Sequence, residues 1–151
     1  TVNIIKTIDE KELYMINIHL SAYDKNGDIR KQQAEFLLNY LNDIYDVNKN
    51  YIIIGGDWNH LLPKEDYNDN MPFWVSLLPD ELYDSDFRLV YDKTVNTVRS
   101  ANKPYIKGIN FESVIDGFLV SPNVETIKVE SIDFGFKYSD HNPVRAKFRL
   151  K

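Results

Sequence analysis

Cysteine is absent from all 151 residues. That removes thiol nucleophiles, zinc–thiolate sites and disulfide staples together, while leaving the compartment open. Long apolar runs are missing as well. None approaches the roughly 18 residues of a membrane span, and no signal-peptide pattern opens the chain. The first residue is Thr1 rather than methionine, so a preceding segment, with any targeting signal in it, is expected to have been cut away or left out. Positive charge is in deficit: 18 Lys and Arg against 23 Asp and Glu give a net charge of −5 and a pI near 5.2. A chain relying on nonspecific attraction to nucleic acid is usually basic. Acidity does not bar a phosphate substrate, because bound divalent cations supply the missing positive field.

What is present suffices for one packed domain. Hydrophobic residues make up 43% and aromatics 13%, with ten tyrosines. A chain of this length buries roughly 68–70% of its unfolded surface. One segment reverses the overall charge. Between positions 88 and 107, Arg88, Lys93, Arg99, Lys103 and Lys107 stand against a single acid, Asp92. It is either a surface that meets substrate phosphates or a solvated loop face.

Tyr51, Ile52, Ile53 and Ile54 form a continuous β-branched and aromatic run, the pattern of a strand buried on both faces. Gly55 and Gly56 follow and predict a sharp turn. Asp57, Trp58 and Asn59 then stand at the strand's carboxyl end, where open sheets tend to carry their chemistry. Earlier, Val2 to Thr7 and Leu13 to Ile18 predict a hairpin across Asp9-Glu10-Lys11, with His19 at its far end. Asn26-Gly27 predicts a turn and Asp28 a helix cap. Ile29, Phe36, Leu37, Tyr40, Leu41 and Ile44 recur at helical spacing, predicting one amphipathic helix over Ile29 to Tyr45. Strand, helix and strand in that order imply a layered α/β arrangement.

The rest is less regular. Pro63, Pro72 and Pro79 interrupt residues 60–92, leaving at most a short helix over Phe73 to Leu78. Short strands are expected over Phe87 to Tyr91 and Val95 to Val98. A loop spans Lys103 to Gly108, and Ser113 to Val120 is a further strand. Val124 to Ile132 and Val144 to Leu150 alternate as strands do. No repeat, low-complexity tract or linker divides the chain.

Asp116 is the odd residue of its strand, a carboxylate among Val114, Ile115, Phe118 and Leu119. Burying it is costly unless something accepts its charge or hydrogen bonds. Either Gly117 marks a bulge that turns Asp116 to solvent, or Asp116 holds a histidine by its Nδ1–H. His141 is available, within Ser139-Asp140-His141-Asn142-Pro143. There the Asp and His of a loop can diverge, one to a hard cation and one to substrate, although Asn-Pro is also an ordinary turn initiator. His19 alone reads equally as a satisfied core or surface histidine.

In chain order HL, GGDWN, ID within a strand, and SDHNP resemble the endonuclease/exonuclease/phosphatase superfamily of metal-dependent phosphoesterases. The resemblance implies a partial four-layer α/β sandwich, deoxyribonuclease-I-like, with a mixed sheet and flanking helices. It implies that His141 works on the phosphate and the attacking water, with Asp116 orienting it. Asp57 would activate or position the nucleophile, Asn59 would orient phosphate or nucleophile, and His19 would donate to a phosphoryl oxygen. Asp140 would contribute to a divalent-metal site, usually Mg²⁺ or else Mn²⁺. Arg99 and Lys103 are the candidates for substrate contact. Nucleic acid, inositol phosphate and phospholipid head groups all suit this chemistry.

The departures matter too. The resemblance covers the later part of a domain of about 250 residues, above the single-domain prior. Residues 1–151 are thus expected to form one unit lacking the N-terminal metal-binding segment. Glu10, Glu12 and Glu35 do not match the family's metal-binding glutamate, so the metal site is expected to be incomplete and the chain weak or inactive alone. Uncovered sheet surface is expected to bind a second copy or ligand. Gly117 replaces a common aromatic, and Val114 a common basic residue of nucleases. The rival readings are a non-catalytic interaction module on the same scaffold, and an unrelated nucleotide-binding α/β protein. The second lacks a Gly-rich helix start and a P-loop lysine.

Overall fold

Short β-branched runs flanking one long amphipathic segment build a sheet with a helix laid across it. The computed structural model describes the backbone of residues 1–151 and every side chain but that of Lys25. In chain order the elements are β1 (Val2–Lys6), β2 (Glu12–His19), α1 (Asp28–Ile44), β3 (Asn50–Asp57), α2 (Asp80–Tyr83), β4 (Arg88–Val90), β5 (Val98–Arg99), β6 (Glu112–Ser113), β7 (Asp116–Val120), β8 (Val124–Ser131) and β9 (Val144–Leu150).

The main sheet has five strands in the order β1-β2-β3-β7-β4. β2 and β3 run parallel and the other neighbours antiparallel, so the sheet is mixed. A parallel neighbour requires a crossover, and α1 supplies it. Ala34, Leu38 and Leu41 of α1 pack on Ile16, Ile52, Ile54 and Leu119, with Trp58 and Leu62 closing the same core. The opposite face is partly covered by the β8–β9 hairpin, a separate two-stranded sheet. Its Val124, Phe148 and Leu150 meet Tyr51, Val120 and Phe118, the two phenylalanine rings edge to face at 5.4 Å. Helix, sheet and hairpin make three layers of an α/β sandwich.

Register places the chemistry. His19 pairs with Asp57 across β2–β3, and Asp57 with Asp116 across β3–β7. In-register residues of neighbouring strands share a face, so these three side chains form one row at the carboxyl edge of β2 and β3.

Several local expectations are corrected. Gly55 and Gly56 make no turn, for β3 runs through both to Asp57. Their role is close approach. A Cβ on Gly55 would lie 2.8 Å from the Phe118 ring, and one on Gly56, at φ 147°, only 2.0 Å from the Ile18 carbonyl oxygen. Asp28 is not the cap of α1 but its first residue; Asp24 Oδ2 takes the Ile29 N–H at 2.8 Å instead. The buried stripe of α1 is Arg30, Ala34, Leu38 and Leu41, while Ile29 is exposed and Phe36 is 73% exposed. Arg30 takes the inward position because partners for its guanidinium wait there. Phe73 to Leu78 is not helical; the one-turn helix comes after Pro79. Ser113 to Val120 is two strands, because Thr97 Oγ1 accepts the N–H groups of Ile115 and Asp116 at 3.0 and 3.1 Å and breaks the ladder between them.

Candidate active site

The edge row is completed by the loop that carries His141. Val98 of β5 pairs with His141 in an isolated antiparallel bridge, and Arg99 N–H donates to the Asp140 carbonyl at 3.0 Å. Asn142 is buried and ties the loop down. Its N–H reaches the Thr97 carbonyl at 2.8 Å, its Nδ2 the Asn96 carbonyl at 3.0 Å, and its Oδ1 accepts the Phe134 N–H at 3.1 Å. The asparagine of SDHNP is therefore an anchor, and the histidine beside it projects to the sheet edge.

His141 Nδ1 lies 2.9 Å from Asp116 Oδ2, and its Nε2 lies 3.8 Å from Asp57 Oδ2. His19 Nε2 approaches the same Asp57 oxygen at 3.4 Å from the other side. Asp57 thus stands between two imidazoles, while its Oδ1 accepts the Asn59 N–H at 2.8 Å. Asn59, at a left-handed φ of 50°, donates from Nδ2 to the Leu20 carbonyl at 2.8 Å and so links the β3 end to the residue after His19. Asp116 does not turn to solvent, and no bulge precedes Gly117. A Cβ at Gly117 would meet Leu62 Cδ1 at 2.8 Å and the Val90 carbonyl oxygen at 2.9 Å, which is why no larger residue follows Asp116 here.

Electrostatics separate the groups. The hydrogen bond to Asp116 raises the His141 pKa above its usual 6.5 in spite of burial, helped by the charges of Asp57 and Asp140. Burial raises the Asp57 pKa above 3.8, and the Asp116 charge adds to it. A carboxylate reluctant to ionise beside an imidazole reluctant to lose its proton is an acid–base pair with separated roles.

His19, Asp57, Asn59, Arg99, Asp140 and His141 open onto one cleft of about 660 Å³. Asp116 meets His141 from a neighbouring groove, and Lys103 lies in a further groove beyond Arg99 and Asp140. Among the described residues, the ligand atoms that lie close enough to share a cation are those of Asp57, Asp116 and His141, within 4.8 Å of one another. Two carboxylates that repel each other offer hard oxygen donors and suit a divalent cation. Asp140, expected to be the metal ligand, lines the cleft outside that cluster.

Some contributors carry no sequence signal of their own. Arg30, 2% exposed, reaches the cleft wall from α1. Its Nε donates to Ser76 Oγ at 3.0 Å, its Nη2 to the Trp74 carbonyl, and Asp24 Oδ1 lies 3.5 Å from its Nε. Ser76 Oγ is in turn hydrogen-bonded to His60 Nδ1 at 3.1 Å. Spacing alone hints at Arg30, since it falls on the inward period of α1.

No family model and no curated protein matches the sequence. Solved structures do. A humanised D. rerio TDP2 superposes with a TM-score of 0.66 at 18% identity, over 99% of this chain and 59% of that one. An endonuclease/exonuclease/phosphatase from Bacteroides vulgatus gives a TM-score of 0.61 at 18% identity, over 94% of this chain and 51% of its own. D. rerio TDP2 complexed with a single-strand DNA product gives 0.64 at 17%, over 99% and 60%. The chain spans between half and three fifths of these three structures. Its fold is accordingly the deoxyribonuclease-I-like α/β fold of the endonuclease/exonuclease/phosphatase proteins.

Proposed function

We propose that this site hydrolyses phosphoric esters with the help of a divalent cation, Mg²⁺ or Mn²⁺. The observation that carries the reading is the row His19–Asp57–Asp116 with His141 hydrogen-bonded to Asp116, four groups gathered at one edge of the sheet. Phosphoryl transfer asks mainly for positioning and for charge placed where phosphoryl oxygens become negative. Asp57, its pKa raised, takes a proton from the attacking water. His141 donates from Nε2 to a phosphoryl oxygen, its ring held and its positive charge supported by Asp116, and His19 donates to a second oxygen. Asn59 orients the nucleophile. The water oxygen bonds to phosphorus as the bond to the leaving oxygen breaks, and solvent protonates that oxygen. A cation held by Asp57 and Asp116, with Asp140 at the cleft wall, would draw charge from the phosphoryl oxygens.

Nucleic acid is the leading substrate class, supported by a TDP2 structure complexed with a single-strand DNA product. Inositol phosphates and phospholipid head groups are the other arms. Two carboxylates, Asp57 and Asp116, are a thin set for Mg²⁺. We therefore infer that residues 1–151 turn over slowly alone and are the C-terminal part of a larger catalytic unit.

Wild type and His141→Ala should be assayed on DNA, RNA, inositol phosphate and phospholipid, with and without Mg²⁺ or Mn²⁺, in this chain and in the full-length protein. Metal-dependent hydrolysis lost in His141→Ala is expected. Absence of hydrolysis on every substrate in both proteins would leave the scaffold as an interaction module.

A further inference from the structure

Charge pairing across this molecule is uneven. Lys6, Arg30, Lys49, Lys64, Lys93, Lys128, Arg145, Arg149 and Lys151 each have a carboxylate within 4.0 Å. Arg99, Lys103 and Lys137 have none among the described residues, yet they line one groove of about 540 Å³. Lys11, Lys31, Arg88, Lys107 and Lys147 also have no carboxylate within 4.0 Å among the described residues; Arg99, Lys103 and Lys137 differ in sharing one concavity. The groove contains one acid, Asp140, and it meets the catalytic cleft through Arg99, Ala101 and Asp140.

Two further observations point to a ligand. Arg99 lines both the groove and the cleft, its Nη1 donating to the Ser100 carbonyl at 3.1 Å and its guanidinium meeting no carboxylate among the described residues. Tyr138 forms the other wall and is 78% exposed. The ring is kept in place rather than buried: Phe134 meets it edge to face at 6.3 Å, and Lys137 Nζ stands 5.1 Å from its centroid. Cations spaced along a groove, with an exposed ring beside them, match a phosphodiester backbone that carries stackable bases. A small phosphomonoester would have no use for the groove. A membrane would favour an exposed convex face over a recess.

We propose that this groove is a strand-binding subsite. It holds the phosphates next to the reacting one on Arg99, Lys103 and Lys137, and stacks a base on Tyr138, so that the cleft acts on single-stranded polynucleotide. The inference rests on the phosphoesterase reading of the cleft, but its test does not require turnover.

The probe is a fluorescein-labelled oligothymidylate of about 12 nucleotides, within the site sizes of single-strand grooves. Its anisotropy is titrated with the His141→Ala protein, which holds strand without cleaving it. Three neutralised phosphates predict a log–log salt slope of about −2, at about 0.7 per phosphate. Lys103→Gln with Lys137→Gln should weaken binding about tenfold and flatten the slope by about 1.4. Tyr138→Ser should weaken it about tenfold with the slope unchanged. Lys31→Gln with Lys147→Gln removes the same charge elsewhere and should leave the affinity as it was. The proposal is overturned if the two double variants behave alike, if the groove variants bind as tightly as the parent, or if phosphatidylserine vesicles capture the protein while the oligonucleotide does not. Hydrolysis of a small phosphodiester by wild type, without strand binding, would sink the groove and spare the reaction. Groove-dependent strand binding without hydrolysis of any ester would do the reverse.

Discussion

His141 is defined as much by its neighbours as by its own ring. With Asp116 on Nδ1 the protonated form is favoured, so its stabilising contribution is fully present below pH 6.5 and is lost as pH rises through the elevated folded value. In the proposed reaction this form is the working one. The rate should therefore hold past pH 6.5 and fall on an alkaline limb above it, while the acid limb, set by Asp57, should lie above pH 3.8. Asp116→Asn should move the alkaline limb to lower pH and cut kcat by about 10²–10⁴, the range for a displaced acid–base group. A pH–rate profile of the two proteins decides it; an unmoved alkaline limb assigns that limb to another group. His60 has the opposite sign. Burial drives its pKa from 6.5 down to about 4. The unfolded chain then binds the extra proton first, and stability present above pH 6.5 is lost as pH falls toward 4, by about 3 kcal/mol. Urea unfolding across that range should show the loss in wild type, and the curve of His60→Gln should be flatter by that amount.

At the scale of elements, the end of β3 is the feature on which the site depends. Ile18 and Gly56 are paired in register one row before His19 and Asp57, so whatever pushes their backbones apart separates the histidine from the acid. Gly56→Ala puts a methyl 2.0 Å from the Ile18 carbonyl oxygen, with the Ile18 carbonyl carbon and nitrogen next at 2.9 and 3.1 Å and no flexible side chain to yield. It should cost at least about 3 kcal/mol, read as a shifted urea midpoint. Gly108→Ala meets nothing within 4 Å, although φ is +78°, and should cost only about 1 kcal/mol. This region also shows what the sequence could reveal. Alternation and β-branched runs located the strands at the two ends, although β1 is exposed along its whole length. Polar side chains at strand ends, in the order HL, GGDWN, ID and SDHNP, supply the groups that the fold gathers at one edge of the sheet. The purpose of Gly55-Gly56 was illegible, since a glycine looks the same whether it turns the chain or admits a neighbour. Arg30 shows in the sequence only as a position on the inward period of α1, and its role does not. A buried cation breaks the apolar period of a helix, and its partners, Asp24, Trp74 and Ser76, lie in loops that no periodicity describes.

For the whole molecule, the decisive property is a sheet covered unequally on its two faces. α1 fills one face, whereas the hairpin covers only part of the other. Met15 and Ile53 line an open groove of about 780 Å³ there, and Ile5, exposed, is in register with Leu13 on the same face. β1 closes the sheet with one edge unpaired in the five-strand order. An apolar face next to a free strand edge is a template for association. The occupant expected for residues 1–151 in solution is a second copy, because that brings an identical edge and an identical apolar face to each uncovered one. Sedimentation velocity should show an average mass that rises with concentration. Ile5→Lys with Met15→Lys, both at exposed positions, should hold the chain monomeric without lowering its unfolding midpoint. A wild-type chain that stays monomeric at every concentration would contradict the association. Association that survives both lysines would move it to another surface.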